Sequence, residues 1–245
     1  NKEIIVVDDG SQDNTYLIAS NMMKKNETIN VYKKSNGGKA SAINYGLIMS
    51  SGEIIVIIDA DGLVSRNALN DIISQFQDPA VVGVACNIRV INTVNTLTNC
   101  QALEYSVGIN LYRAATASFG TVEVLPGPLS AFRRSAVDQV GRFDSDTLVE
   151  DADFTKKLLK TGNILQSSSE SYAYTEAPTN LEDFIKQRTR WYRGNIQTFL
   201  KHRNMRDFSA NILNSSIVMP LSFLQIFIQP VLGLISIGSF VYSII

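Results

Sequence analysis

Histidine, cysteine and tryptophan are all scarce in this chain: one, two and one in 245 residues. With His202 alone and no Cys-x-x-Cys pair joining Cys86 to Cys100, a zinc centre has no ligand set. Both cysteines lie in apolar or helical stretches and are expected as free thiols of a reducing compartment. An excess of charge is missing too. Twenty-two basic side chains face 23 acidic ones, a formal net charge of −1, so no broad positive field exists to hold nucleic acid. The glycines follow neither the phosphate-loop nor the dinucleotide spacing. No signal peptide, internal repeat or low-complexity tract is visible.

What is present is 45% hydrophobic and 18% charged, enough for one globular domain with a sizeable core and something more. In the first 90 residues, short β-branched runs alternate with segments of helical period. Residues 3–8, 29–33, 53–59 and 80–87 read as strands; residues 15–25, 39–49 and 66–76 read as helices. That alternation predicts an α/β fold, Rossmann-like, with a mostly parallel sheet covered on both faces. Ligands of such sheets bind beyond the carboxyl ends of the strands. Asp8, Asp9, Asp59 and Asp61 all fall where apolar runs end, so they are expected to converge on one crevice.

Further along, residues 96–118 read as a long helix with Leu97, Leu103, Val107, Leu111 and Ala115 roughly on one face. Gly127-Pro128 breaks the chain before 129–137. Residues 150–160 form a helix with an acidic first turn and a basic last turn, matching the helix dipole. Residues 181–203 form another. From 208 to 245 there is no Asp, Glu, Lys or Arg, and 217–245 is long enough to span a bilayer, which takes about 20 apolar residues. The expected division is a catalytic domain over 1–207 and a membrane segment over 208–245. Lys201, Arg203 and Arg206, just before the uncharged run, place the domain on the cytoplasmic side.

Several groups could carry chemistry. Asp59 and Asp61, one residue apart after a strand, can both face a divalent cation, which prefers hard oxygen ligands. Lys39 follows Gly37-Gly38 at a helix start, a place that favours an anion. Glu150-Asp151 at another helix start is either a cap or a general base; spacing alone leaves both open. Gln187 and Arg190 share a helix face. Arg190 suits a diphosphate, and Trp191 is either a sugar platform or a core residue.

Taken in order, six motifs resemble those of the family-2 inverting glycosyltransferases, above all the processive branch of hyaluronan, chitin-oligosaccharide, poly-N-acetylglucosamine and cellulose synthases. They are Val7-Asp8-Asp9-Gly10-Ser11, Asn36-Gly37-Gly38-Lys39-Ala40, Asp59-Ala60-Asp61-Gly62, Gly127-Pro128-Leu129-Ser130 with Phe132-Arg133-Arg134, Glu150-Asp151, and Gln187-x-x-Arg190-Trp191. The resemblance covers residues 7 to 191 and implies a GT-A fold acting on a UDP-sugar donor and a polysaccharide or oligosaccharide acceptor, with membrane lipid as a further partner. It implies that Asp9, with Asp8 beside it, meets the uracil and that Lys39 lies by the diphosphate. Asp59 and Asp61 hold donor and a Mg2+ or Mn2+ ion, Asp61 as the direct ligand. Gly127, Pro128 and Gln187 line the substrate site. Asp151 rather than Glu150 is the base, and Arg190 and Trp191 serve diphosphate and acceptor sugar. Two departures from the family's pattern stand out: Val149 replaces its threonine, and its first strand, with the nucleotide-contacting loop that follows, is missing before Asn1. The form Gly127-Pro128-Leu129-Ser130 leans towards an N-acetylglucosamine-type donor. Two rivals are a non-processive transferase on a lipid-phosphate or protein-bound acceptor, against which Gln187–Trp191 argues, and a silent membrane scaffold, which has no need of these carboxylates together.

Overall fold

The computed structural model describes residues 2–204, 216, 219–228, 231, 232, 235, 236 and 239. The first β-branched run is β1 (Ile4–Asp8), followed by α1 (Thr15–Met23) and β2 (Ile29–Lys33). β1 and β2 pair in parallel, from Ile4 opposite Ile29 to Asp8 opposite Lys33. Next come α2 (Lys39–Met49), β3 (Ile54–Ile57), the short β4 (Leu63–Val64), α3 (Ala68–Ser74) and β5 (Val81–Val90). A long helical stretch follows: α4 (Thr96–Leu103), a π-wound segment (Glu104–Leu111) and α5 (Tyr112–Ala117). The remainder is β6 (Ser130–Arg133), α6 (Arg134–Val140), α7 (Glu150–Lys160), β7 (Ile164–Thr175), α8 (Leu181–Lys201) and α9 (Met219–Phe223).

The larger sheet has the order β3-β6-β5-β7-β4. It is mixed, not mostly parallel as the alternation suggested. β6 runs antiparallel to both β3 and β5, and β4 antiparallel to β7; only β5 and β7 lie parallel. The cause is the long excursion after β5, which brings β6 back between β3 and β5 from the opposite end. β7, not anticipated from its serine-rich sequence, flanks β5 on the other side.

β5 feeds both faces of the core. Val84, Cys86 and Ile88 join Ile72 of α3 and Tyr105, whereas Ala85 joins Phe132 and the α7 residues Phe154 and Leu158. Each such large side chain, fully buried, contributes roughly 1.5–3 kcal/mol. At Gly83 a Cβ would lie 2.7 Å from Leu125 Cδ1 and 2.8 Å from Leu165 Cδ2, so the two leucines close over bare backbone.

The long helix faces the other way from what its apolar stripe suggested. Leu103, Val107 and Leu111 are 66%, 55% and 62% exposed, while Gln101, Tyr105, Arg113 and Thr116 are buried against the sheet. β5 explains this, because its pairing with β7 slips between Ala85 and Asn87. The π-wound turn brings Asn110 to Ile88, where its amide exchanges two hydrogen bonds with the strand backbone, at 3.0 and 2.8 Å. Arg113 donates to the Cys86 carbonyl at 2.9 Å. Polar side chains face inward there because the strand offers backbone groups to satisfy.

Cys86 and Cys100 are free, as expected. Among the described residues no helix is long and apolar enough to cross a membrane. The span expected over 217–245 lies in part outside the described residues.

Candidate active site

β1 delivers Asp8 to its carboxyl end. Its Oδ1 accepts the Ser11 N–H at 2.7 Å, a bond that holds this buried carboxyl below the usual carboxylate range. The turn passes through Gly10 at φ +83°, where a Cβ would also strike the Asn36 nitrogen at 2.8 Å. Asp9 is engaged by its own chain. Lys34 Nζ lies 2.5 Å from it, and the N–H groups of Gly37 and Gly38 donate to it at 3.1 and 2.7 Å. Burial raises its pKa, but the Lys34 and glycine contacts together outweigh burial and lower it. Lys34 went unnoticed in the sequence, since nothing in its spacing marks it. The effect is to strap the Gly37-Gly38 loop to β1 and so aim the start of α2.

Lys39 opens α2, and its ammonium bridges two carboxylates, Asp59 Oδ1 at 2.7 Å and Glu150 Oε1 at 3.0 Å. Burial disfavours the charged form, but Asp59 and then Glu150 more than reverse this, so Lys39 stays protonated well beyond its ordinary range. Asp59 is fixed by its own backbone, whose N–H donates to the Gly127 carbonyl at 3.1 Å. Gly127 passes so close that a Cβ there would lie 2.5 Å from Asp59 Oδ2 and 2.6 Å from Lys39 Nζ. Antiparallel pairing sets this approach, because Ile57 at the end of β3 faces Ser130 at the start of β6. Asp61 sits exposed in the turn after Asp59. The arginines of Phe132-Arg133-Arg134 serve the frame: Arg133 donates to the Phe76 carbonyl and Arg134 to the Gly52 carbonyl, at 3.0 and 2.6 Å.

Glu150 and Asp151 occupy the first turn of α7. Asp151 accepts the Ala152 N–H at 2.8 Å. Burial first, then the adjacent Glu150 carboxylate, raise its pKa, and Lys39 offsets them only in part. A carboxylate pushed towards neutrality is suited to taking up a proton. Val149, where a threonine was expected, is buried against α8 and makes no side-chain cap. A Cβ on Gly194 would lie 2.7 Å from both Val149 methyls. Gly194→Ala should therefore overpack this contact at a cost of about 1–3 kcal/mol. The expected result is a thermal midpoint lower by a few degrees, together with slower turnover at temperatures where the variant is fully folded. Unchanged melting and rate would show that α8 does not seat the start of α7.

The far end of α8 is tied to α7 as well. His202 Nε2 lies 2.8 Å from buried Asp153, and Lys201 reaches Asp144, Asp146 and Asp153 at 2.7, 2.7 and 3.1 Å. Those three carboxylates form, among the described residues, a group able to hold a metal ion. The Lys201 ammonium already lies among them, which assigns them to the α7–α8 clamp. It also takes Lys201 out of the free basic cluster expected there.

α8 carries Gln187, Arg190 and Trp191. Gln187 Oε1 is buried with no partner among the described residues, and Arg190 is exposed. Trp191 packs on Tyr105, centroids 6.3 Å apart, with the Arg188 guanidinium 4.5 Å over its ring. Behind α7 lies a cavity of about 180 Å³, lined by Glu123, Lys156, Tyr192, Asn195, Thr198 and Gln225 among others. Lys156 Nζ is buried there, 3.9 Å from Glu123, and burial lowers its pKa.

Three comparisons bear on this arrangement. The model of the family described as glycosyl transferase family group 2 matches residues 54–245. The poly-beta-1,6-N-acetyl-D-glucosamine synthase of Staphylococcus aureus (strain NCTC 8325 / PS 47) is 32% identical over 201 residues, 82% of this chain and 49% of that protein. The synthase of the same name from Staphylococcus epidermidis is 30% identical over 212 residues, 86% and 50%. The chain thus spans about half the length of the curated relatives it matches. A solved mannosyltransferase, PcManGT from Pyrobaculum calidifontis in complex with GDP-Man and Mn2+, superposes with a TM-score of 0.72 at 21% identity, covering 98% of this chain and 70% of that one. At that identity the likeness concerns the fold, which is GT-A-like with a mixed sheet.

Proposed function

We propose that this chain, which belongs to glycosyl transferase family group 2, transfers a hexose or N-acetylhexosamine from a UDP-sugar to the end of a growing β-linked polysaccharide, with inversion. The observation that carries this reading is the meeting of Lys39, Asp59 and Glu150 at the strand ends. Asp151, one residue from Glu150, adds a proton acceptor of raised pKa. Poly-N-acetylglucosamine synthases among the relatives favour an N-acetylglucosamine donor.

The residues divide the work as follows. Asp151 takes the proton from the acceptor hydroxyl as that oxygen attacks the anomeric carbon from the face opposite the diphosphate. Lys39 and Arg190 balance charge on the leaving diphosphate, the preorganised electrostatics that dominate catalysis of this kind. A Mg2+ or Mn2+ ion on Asp59 and Asp61 would supply further neutralisation when bound. The donor set suits one: its oxygens are hard, and Asp59 already holds a cation, the Lys39 ammonium. Asp8 and Asp9 shape the nucleotide end. Trp191, packed on Tyr105 with the Arg188 guanidinium over its ring, orders the face of α8 along which the acceptor lies. The uncharged stretch over 208–245 supports attachment to the cell membrane, with the catalytic domain on the cytoplasmic side.

The test is to incubate the full-length protein in membranes with a panel of radiolabelled UDP-sugars, with and without a chelator, and to size the product on a gel. Label should enter a long polymer from one UDP-sugar, N-acetylglucosamine first among them, and chelation should abolish it. Products one sugar longer than the acceptor, or label transfer untouched by chelation, would overturn the processive or the metal-dependent part respectively.

A further inference from the structure

Lys39 sits in a slot with three walls. Asp59 and Glu150 close two sides at 2.7 and 3.0 Å from its ammonium. The bare backbone of Gly127 closes the third, with room for no side-chain atom. The two carboxylates come from α7 and the end of β3, far apart in sequence, and repel one another unless a cation lies between them. The lysine stem reaches them from the first turn of α2, and the preceding loop is fixed by the Asp9 hydrogen bonds to Gly37 and Gly38. The lysine is thus aimed at the position on Asp59 that a divalent cation would also use.

We infer that Lys39 is the resident counter-cation of Asp59, competing with the metal for that carboxylate until a nucleotide diphosphate draws the ammonium away. Lys39 is then a positioning residue with two resting places. Without nucleotide it neutralises Asp59 and Glu150 and keeps the metal position weak. With the diphosphate present, the ammonium moves to the phosphate oxygens and Asp59 is released to the ion. Metal and nucleotide bind with mutual assistance, each strengthening the other by the same factor, as linkage requires. Glu150 belongs to this device as the second anchor of the lysine, which gives it a task apart from proton transfer by Asp151. The inference rests on the donor site proposed above.

The experiment titrates the purified full chain in detergent with Mn2+ alone, following free Mn2+ by electron paramagnetic resonance, and then repeats it with saturating UDP. The unaltered chain should bind Mn2+ weakly alone and roughly tenfold more tightly with UDP, a coupling of ordinary size. Lys39→Met should bind Mn2+ alone about tenfold more tightly than the unaltered chain, and the further gain from UDP should be smaller than in the unaltered chain. Lys39→Arg, which keeps the positive charge, should restore weak binding of Mn2+ alone. A lysine that served only to hold α2 in place would lower the melting temperature in K39M and leave Mn2+ affinity where it was. Equal or weaker Mn2+ binding by K39M, with UDP binding intact in the unaltered chain, would overturn the inference and spare the donor site. Failure of the unaltered chain to bind UDP with Mn2+ would remove both.

Discussion

Asp151→Asn is expected to reduce turnover by about 10²–10⁴-fold, the usual worth of a general base, while UDP binding is retained. The amide keeps the shape of the carboxyl and its acceptor contact with the Ala152 N–H, so α7 should start where it does now. A second effect follows from the raised pKa of Asp151. A carboxyl whose folded pKa exceeds its unfolded one favours the fold while protonated and loses that favour as pH rises through the folded value. At neutral pH the ionised form therefore strains the fold, and the neutral amide should melt at a higher temperature. In the unaltered chain the same shift moves the acid limb of the rate profile above the ordinary aspartate range, because the base works only when ionised. Near-normal turnover in Asp151→Asn would pass the role to another group.

Gly127→Ala should cost on the order of 10² in turnover, comparable with losing one preorganised electrostatic contact, and very little in stability. The added methyl would lie 2.5 Å from an Asp59 oxygen and 2.6 Å from the Lys39 ammonium. Both are side-chain ends that can swing aside, so the sheet survives and the charges separate. Donor affinity should fall, whereas melting should stay within a degree or so. An alanine variant with full activity would mean that the approach of this loop to Asp59 and Lys39 is looser than the geometry gives.

Apolar runs bounded by turns marked β1, β2 and β3, and the acidic start of α7 marked its first turn. β7 escaped because Ser167, Ser168 and Ser169 interrupt the apolar signal, and its burial is set by β5 rather than by its own period. Direction within the sheet was also invisible, since alternation of strand and helix says nothing of where β6 re-enters after the long excursion. Among candidate site residues, the structure brings Lys39, Asp59, Glu150 and Gly127 together, each drawn from a different motif. It leaves Asp61 and Arg190 exposed and gives Asp9 partners within its own chain. What spacing could not show were the partners: Lys34 for Asp9, Gly194 for Val149, Arg113 for the Cys86 carbonyl. Each depends on contacts between residues at least 25 positions apart, which no local pattern encodes.

The insertion of β6 between β3 and β5 has a bearing on how the protein comes into being. Asp59 emerges first, yet its wall, the Gly127 strand entry, follows almost seventy positions later, and Glu150 later still. Closing so wide a loop is entropically demanding and tends to be slow. A nascent chain therefore carries these carboxylates for some time as separate charges, and the proposed donor site assembles only after Glu150 has left the ribosome.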